Sequence, residues 1–217
     1  MKKIIYALFV FVVLSCNQSK QSESKKQPLT VAEQIADAHG YSNWKNVSEI
    51  SFTFNEKRGW TWNPKSNNVV LRTLADTISY NRKQIDSSLT RIDKGFINDK
   101  FWLLIPFQLI WDKGITISNP SQLKAPISKT RINKITITYP DKGGYTPGDA
   151  YDIYYDDNFI IKEWGFRKGN EPQARIINTF ENYKDFDGIK IALNHKNMDG
   201  RPIVGFTKVD IKISNSE

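Results

Sequence analysis

The stretch Ile50-Ser51-Phe52-Thr53-Phe54 sets an apolar side chain at every second position, with a polar one between each pair. This period of two places the apolar side chains on one face of an extended strand and the polar ones on the other. The same alternation recurs at Trp60/Trp62, Ile135/Ile137/Tyr139, Tyr151/Ile153/Tyr155, Ile160/Lys162/Trp164/Phe166, Ile189/Ile191/Leu193 and Val209/Ile211/Ile213. The sequence therefore predicts a series of half-buried antiparallel strands.

Short turn-forming segments separate these runs and favour hairpins between consecutive strands. They are Asn63-Pro64, Asp156-Asp157-Asn158, Lys168-Gly169-Asn170, Asp187-Gly188 and Asp199-Gly200. Near the C-terminus the apolar phase shifts between Phe206 and Val209, which predicts a β-bulge near Thr207. We therefore expect a mainly β fold of the α+β class.

Two segments depart from the strand pattern. Thr30, Val31, Ile35 and Ala38, followed by Gly40, have the spacing of a short amphipathic helix with an N-cap and a C-terminal glycine. The run from Phe101 to Trp111 is too dense in apolar residues for an exposed strand. For this run we expect a short helix that ends before Pro106 and plugs one mouth of a curved sheet.

The N-terminus has the layout of a secretory signal peptide. Lys2-Lys3 is followed by an apolar run over residues 4–14 that is too short to span a bilayer. Val13-Leu14-Ser15-Cys16 resembles the lipobox of bacterial lipoproteins, in which the cysteine is acylated and the signal is cleaved before it. The alternative is an ordinary signal peptide with an incidental cysteine.

Three regions follow from this interpretation: a lipoprotein signal peptide over residues 1–15, a flexible tether over residues 16–28 and one domain over residues 29–217. The tether is rich in Ser, Gln, Lys and Glu, a composition that buries too little apolar surface to fold. Removal of Lys2 and Lys3 lowers the formal net charge from +8 to +6, since 29 Lys and Arg then face 23 Asp and Glu. We expect a monomer that contacts the membrane through acylated Cys16 and has no nucleic acid partner.

Motifs for catalysis and metal binding are absent from the sequence. It has no Gly-x-Ser-x-Gly, no His-Glu-x-x-His and no cysteine besides Cys16, and its two histidines are His39 and His195. We therefore expect no catalytic residue, no metal site and no cofactor. Asp149, Asp152 and Asp156 keep a hydrolase open as the less favoured alternative.

Several segments together resemble the outer-membrane lipoprotein-sorting family with the LolA/LolB-like fold, in members from Bacteroidetes-type bacteria. The matching segments are Ala38-His39-Gly40 with Trp44, residues 50–54, residues 98–107, Thr146-Pro147-Gly148-Asp149 leading into Tyr151, Trp164, and residues 186–190. The resemblance implies a strongly curved antiparallel sheet that forms an incomplete barrel, with one or two short helices on its concave face and an apolar cavity for acyl chains. Cys16 places the chain nearer a membrane-bound receptor than a soluble carrier, although no loop with a single protruding leucine is evident.

Aromatic residues are the candidates for the wall of such a cavity, because the chain has 6 Trp, 12 Phe and 9 Tyr. The ligand-binding candidates are Trp60, Trp62, Phe101, Trp102, Phe107, Trp111 and Trp164; each of them is alternatively a plain core residue. The loop with Gly143, Gly144, Tyr145, Pro147, Gly148 and Asp149 is the candidate gate, and its alternative is an ordinary hairpin turn.

We therefore predict an outer-membrane lipoprotein, facing the periplasm or the cell surface, that binds lipid or the acyl part of another lipoprotein without catalysis. A carbohydrate- or protein-binding surface module is the main alternative. A cavity lined by apolar side chains favours lipid, exposed Trp and Tyr favour a glycan, and converging carboxylates favour an enzyme.

Overall fold

Thirteen strands and two α-helices make up the part of the chain that the computed structural model describes, residues 28–143 and 146–214. The helices are α1 (Val31–Ala38) and α2 (Thr90–Trp111). The strands are β1 (Val47–Phe54), β2 (Arg58–Asn63), β3 (Asn68–Arg72), β4 (Thr77–Asn81), β5 (Thr116–Ile117), β6 (Ser121–Lys124), β7 (Arg131–Thr138), β8 (Ala150–Tyr155), β9 (Ile161–Arg167), β10 (Ile176–Thr179), β11 (Glu181–Phe186), β12 (Ile189–Lys196) and β13 (Pro202–Ile213).

The strands form two antiparallel sheets. The seven-stranded sheet has the order β11-β12-β13-β1-β2-β3-β4, and the six-stranded sheet has the order β10-β9-β8-β7-β5, with β6 also paired to β7. Phe180 alone separates β10 from β11, and a bridge between Asn178 and Asn197 joins the sheets beside it. The sheets therefore continue into one another at this seam and do not close elsewhere, so the predicted mainly β fold with an incomplete barrel is confirmed.

The alternation in β1 sets its register. Ile50, Phe52 and Phe54 are buried, and they pair across β2 and β13. Ser51 lies opposite Asp210 but Thr53 lies opposite Thr207, and Lys208 has a positive φ of 50°. The β-bulge predicted near Thr207 is therefore confirmed.

Helix α1 begins and ends as its sequence predicts. Thr30 accepts a hydrogen bond from the Glu33 backbone, and the Glu33 carboxylate accepts one from the Thr30 N–H in return. Such a capping box satisfies two backbone donors that a helix N-terminus otherwise leaves unpaired. After the helix, Gly40 adopts a φ of 91° and its Cα lies against the Gly188 carbonyl, where a side chain does not fit.

Helix α2 corrects the prediction of a short helix that ends before Pro106. It begins at Thr90, far upstream of the apolar run, and continues through Pro106 to Trp111. Proline lacks an N–H and its ring crowds the carbonyl four residues earlier, which is that of Trp102. The helix kinks at Leu104 (φ −121°, ψ 28°) instead of ending, because apolar residues on both sides of the proline are buried.

The core lies between the sheets, with α2 at its centre. Phe96 of α2 packs edge to face on Trp60 of β2, and Trp102 packs edge to face on Trp164 of β9. One helix therefore contacts both sheets. It is a single long helix rather than the one or two short ones that the resemblance implies.

Two buried carboxylates join α2 to the seven-stranded sheet. Asp99 accepts two hydrogen bonds of 2.7 Å from Arg58 and one of 2.8 Å from Trp60 Nε1. Asp93 is held in the same way by Arg82, whose Nε lies 2.8 Å from its carboxylate. Bidentate Arg–carboxylate pairs fix orientation as well as distance. The polar residues in the first half of α2 are therefore part of its packing.

The turn between β3 and β4 presents Leu74 to solvent with its whole side chain exposed. The Thr73 hydroxyl accepts hydrogen bonds from the Ala75 and Asp76 N–H groups and so shapes this turn. No protruding leucine is evident in the sequence, and the exposed Leu74 corrects that expectation. Within the described residues, no helix combines the length and the apolar character needed to cross a membrane.

Candidate functional site

A cleft of about 710 Å³ lies between α2 and the six-stranded sheet. Four of the seven aromatic residues predicted to bind ligand line it: Phe101, Trp102, Trp111 and Trp164. The apolar wall also contains Tyr139, Tyr151, Phe166 and Ile176. The polar side chains that line the cleft include Arg82, Lys94, Lys100, Gln108, Asp112, Lys113 and Lys142. The cleft is therefore polar toward the C-terminal end of α2 and apolar along β8 and β9.

The apolar end is built from packed aromatic rings. The Tyr151 ring stacks on Trp164 with centroids 5.1 Å apart, and Phe101 lies 4.7 Å from Tyr151. Phe166 extends this surface from Tyr151 at 5.2 Å. Trp164 Nε1 is buried without a hydrogen-bond acceptor among the described residues. The surface therefore offers a large apolar face.

A chain of polar side chains forms the other end. In the amide orientation that satisfies both of its neighbours, Gln108 accepts a hydrogen bond from Lys100 Nζ (3.0 Å) and donates one to Asp112 Oδ1 (2.9 Å). Tyr139 donates its O–H to the other oxygen of the Asp112 carboxylate. Tyr139 also packs against Phe101 and Tyr151, so it links the polar end to the apolar end.

Lys100 is the cation at the floor of this polar end, and its residue is only 8% exposed. Its Nζ lies 5.4 Å from the centre of the Trp62 ring and 5.2 Å from that of Trp111, so both π faces stabilise the charge. None of the ion pairs in the described part of the chain involves Lys100. Burial lowers the pKa of Lys100 to about 8, and burial raises the pKa of Asp112.

Exposed lysines surround the cleft. Lys94 on α2, Lys113 after it and Lys142 in the β7–β8 loop are all exposed and line the opening. The acidic residues of the wall are Asp112 and Asp149, and both carboxylates already accept hydrogen bonds from protein groups. Positive charge therefore exceeds negative charge at the cleft.

The other three predicted aromatic residues do not line the cleft. Trp60 donates its N–H to Asp99 in the core, and Trp62 packs against Phe96. Phe107 is buried and packs against Trp44 and Trp111. Trp62 nevertheless contributes indirectly, because its ring supports the Lys100 ammonium.

The predicted gate loop is only partly among the described residues, because Gly144 and Tyr145 lie outside them. Gly143 and Asp149 line the cleft. Pro147 is exposed, and the Gly148 N–H donates to the Pro140 carbonyl at 2.9 Å. Asp149 accepts a hydrogen bond from the Gly169 N–H at 2.8 Å. The C-terminal end of the loop is therefore fixed to its neighbours.

The remaining titratable candidates have structural partners. His39 and His195 are fully buried, hydrogen-bond the carbonyls of Ile35 and Thr179, and have pKa values that burial lowers to about 4. No cluster of three or more His, Cys, Asp or Glu within the described ranges could hold a metal ion.

The three aspartates of the hydrolase alternative are each held by a different neighbour. Asp152 pairs with Arg167, Asp156 pairs with Lys162, and Asp149 accepts the Gly169 N–H. The large apolar residues exposed in the described part of the chain are Leu29, Leu74, Ile176 and Met198, none of them aromatic. The structure therefore offers no specific observation in favour of a hydrolase or of a glycan-binding face.

The polar side chains at the floor of the cleft were not predicted, although the sequence contains a signal for them. Lys100, Gln108 and Asp112 are separated by eight and four residues, which places them on one face of a helix. The signal was hidden because a helix ending before Pro106 does not contain Gln108 or Asp112.

Comparison with known proteins adds little to this geometry. No protein-family model matches the chain, and no curated protein matches it. A solved structure similar to it is that of a DUF1329 family protein from Desulfovibrio piger, with 8% sequence identity, coverage of 87% of this chain and 96% of that chain, and a TM-score of 0.41. A likeness this distant carries no argument about function, and the resemblance to the lipoprotein-sorting family stays a hypothesis from the sequence.

Proposed function

We propose that this protein is a membrane-anchored lipoprotein that binds a lipid or another amphiphile in the cleft between α2 and the six-stranded sheet, without catalysis. The observation that carries the proposal is the division of the cleft into an aromatic end and a cationic end, joined through Tyr139. A molecule with an apolar chain and a polar head matches both ends at once.

The size of the cleft supports a ligand with one chain. Its volume of about 710 Å³ falls within the roughly 300–1,000 Å³ of pockets that hold one small molecule. Each methylene that leaves water for the aromatic wall contributes about 0.8 kcal/mol. A chain of several methylenes along Phe101, Tyr151 and Phe166 therefore supplies substantial binding energy without any covalent step.

Native mass spectrometry of the purified full-length protein, before and after incubation with hexadecanoate, tests the binding. Ile176 lines the apolar end and is partly exposed, so Ile176→Glu places a charge in the path of the chain without disturbing the core. Met198 is exposed outside the cleft, which makes Met198→Glu the matched control. We expect bound amphiphile on the wild type and on Met198→Glu, and little or none on Ile176→Glu. A wild type that never carries an amphiphile would refute the proposal.

The anchor is supported by the sequence around Cys16, which lies outside the described residues. Cys16→Ser removes the acylation site and is expected to abolish labelling by a fatty-acid analogue and to release the protein from membranes. A Cys16→Ser variant that still takes up label would contradict the anchor but would leave the cleft proposal intact.

A further inference from the structure

We propose that the ligand of this cleft carries an anionic head, a carboxylate or a phosphate monoester, and that Lys100 binds it. The inference rests on the proposed function and narrows it from amphiphiles in general to acidic ones. The evidence for it is that Lys100 is buried and has fewer hydrogen-bond acceptors among the described residues than its ammonium group has donors.

The Lys100 ammonium has three N–H donors, and the described residues supply one acceptor for them, the Gln108 side-chain oxygen at 3.0 Å. Burial of a cation is unfavourable unless an anion or several acceptors compensate for the lost water. The rings of Trp62 and Trp111 compensate in part. Lys100 borders the cleft, so an acceptor on a bound ligand is able to complete its coordination.

The charged groups near Lys100 do not replace such a ligand. Asp112 attracts the ammonium, but none of the salt bridges among the described residues joins the two groups, and the Gln108 amide bridges them instead. Arg82 repels the ammonium and Asp93 attracts it, and these two residues pair with each other at 2.8 Å. Within the part of the chain that the structure describes, Lys100 therefore has no ion-pair partner of its own.

The rim adds to the selection for an anion. Lys94, Lys113 and Lys142 carry positive charge at the opening, and such a field raises the local concentration of anionic ligands. A ligand with its acid group at Lys100 places its chain along Phe101, Tyr151 and Trp164, where the rings are already in contact. An amphiphile with a cationic head meets repulsion at both the floor and the rim.

The test compares ligands with the same chain and different heads. Hexadecanoate, hexadecyl phosphate and hexadecanol are titrated into the full-length wild type, with binding followed by calorimetry. A hydrogen-bonded ion pair with Lys100 is expected to make the two acids bind about ten- to a hundredfold more tightly than the alcohol. Inorganic phosphate is added as a competitor; displacement of hexadecyl phosphate at equal concentration would mean a site for a free anion and would overturn the proposal.

The variant Lys100→Met keeps an unbranched apolar side chain and removes the charge. It is expected to lower the affinity for both acids to that for hexadecanol and to leave the affinity for hexadecanol unchanged. Lys184→Met, at an exposed position of β11 that does not line the cleft, is the matched control and is expected to change acid binding by less than about threefold.

The outcomes separate the two proposals. If the wild type binds hexadecanol as tightly as the acids, the anion inference is wrong and the proposed function stands. If the wild type binds none of the three, the proposed function fails as well. The comparison of the three ligands on the wild type shows whether the cleft selects an anionic head, even if Lys100→Met does not fold. If a folded Lys100→Met still prefers the acids, the selection is due to other cations and the role of Lys100 is wrong.

Discussion

The variant Asp99→Asn tests whether buried ion pairs hold α2 against the seven-stranded sheet. Asp99 is 0% exposed and accepts hydrogen bonds from Arg58, Trp60 Nε1 and Asn98. An asparagine of the same shape offers one acceptor oxygen where the carboxylate offers two. Its NH₂ group then faces donors of Arg58 or Trp60, and the guanidinium loses its counter-charge.

The structure also sets the size of the effect. Removal of one partner from a buried ion pair destabilises a protein by about 3–5 kcal/mol, because the other charge is left uncompensated. The remaining charge here is on Arg58, whose side chain is 37% exposed and is able to turn toward water. We therefore expect Asp99→Asn to lower the free energy of unfolding by about 3 kcal/mol, at the lower end of that range.

Urea unfolding of the wild type, Asp99→Asn, Arg58→Met and the double variant measures both the loss and the coupling between the residues. Because Asp99 and Arg58 are in direct contact, we expect a coupling energy of about 2 kcal/mol between their substitutions. Asp210→Asn, at an exposed position of β13, is the control and is expected to change stability by less than about 0.5 kcal/mol. A neutral Asp99→Asn, or single-variant effects that simply add, would refute the argument.

Three further predictions concern the core and its titration. Trp102→Ala is expected to lower the free energy of unfolding by about 3–5 kcal/mol without ligand, because the ring is buried in the core as well as lining the cleft, and a loss under about 1 kcal/mol in urea would contradict this. Gly40→Ala is expected to lower the thermal midpoint, because it brings a Cβ within 1.8 Å of the Gly188 carbonyl oxygen at a positive φ. A midpoint equal to that of the wild type would show that this close approach is absent. The pKa values of His39 and His195 fall from 6.5 to about 4 on folding, so the unfolded state binds more protons between these limits. The contribution of the two histidines to stability is therefore expected to be constant above pH 6.5 and to fall as the pH drops toward 4, by up to about 3 kcal/mol per histidine. Equal urea midpoints at pH 7.5 and 5 would exclude this.

Local patterns predicted strands such as β1 because one of their faces lies toward the core, whereas all six residues of β8 are buried. Ile50, Phe52 and Phe54 are apolar at every second position, and the structure buries all three. The bulge near Thr207 was predictable from the sequence, because an extra residue in the strand changes which alternate positions are apolar. The phase at the start of β9 was wrong: Ile161, rather than Ile160, is fully buried there.

Helix α2 was underestimated because its first half is polar in sequence. Asp93 and Asp99 look like surface residues, and their burial depends on Arg58 and Arg82, which are distant in the chain. Pro106 indicated an end to the helix, yet the packing on both sides of it makes a kink at Leu104 more favourable than an end. Neither effect can be read from local spacing.

The aromatic character of the candidate site was predicted from the sequence, but only some of its residues were. Aromatic content indicated an apolar wall, but it did not distinguish Trp164, which lines the cleft, from Trp60, which lies in the core. The two types of position have the same alternation in sequence. The cationic end was missed altogether, because Lys100 directly precedes an apolar run and its role depends on Gln108, further along the same face of α2.

The most direct test for an amphiphile in the cleft is a crystal structure of the protein with a hexadecanoate whose terminal carbon carries bromine. We expect an anomalous peak for bromine near Tyr151, Phe166 and Ile176, with the carboxylate within hydrogen-bond distance of Lys100 Nζ. Bromine bound elsewhere, for example against the exposed Leu74, with an empty cleft, would contradict it.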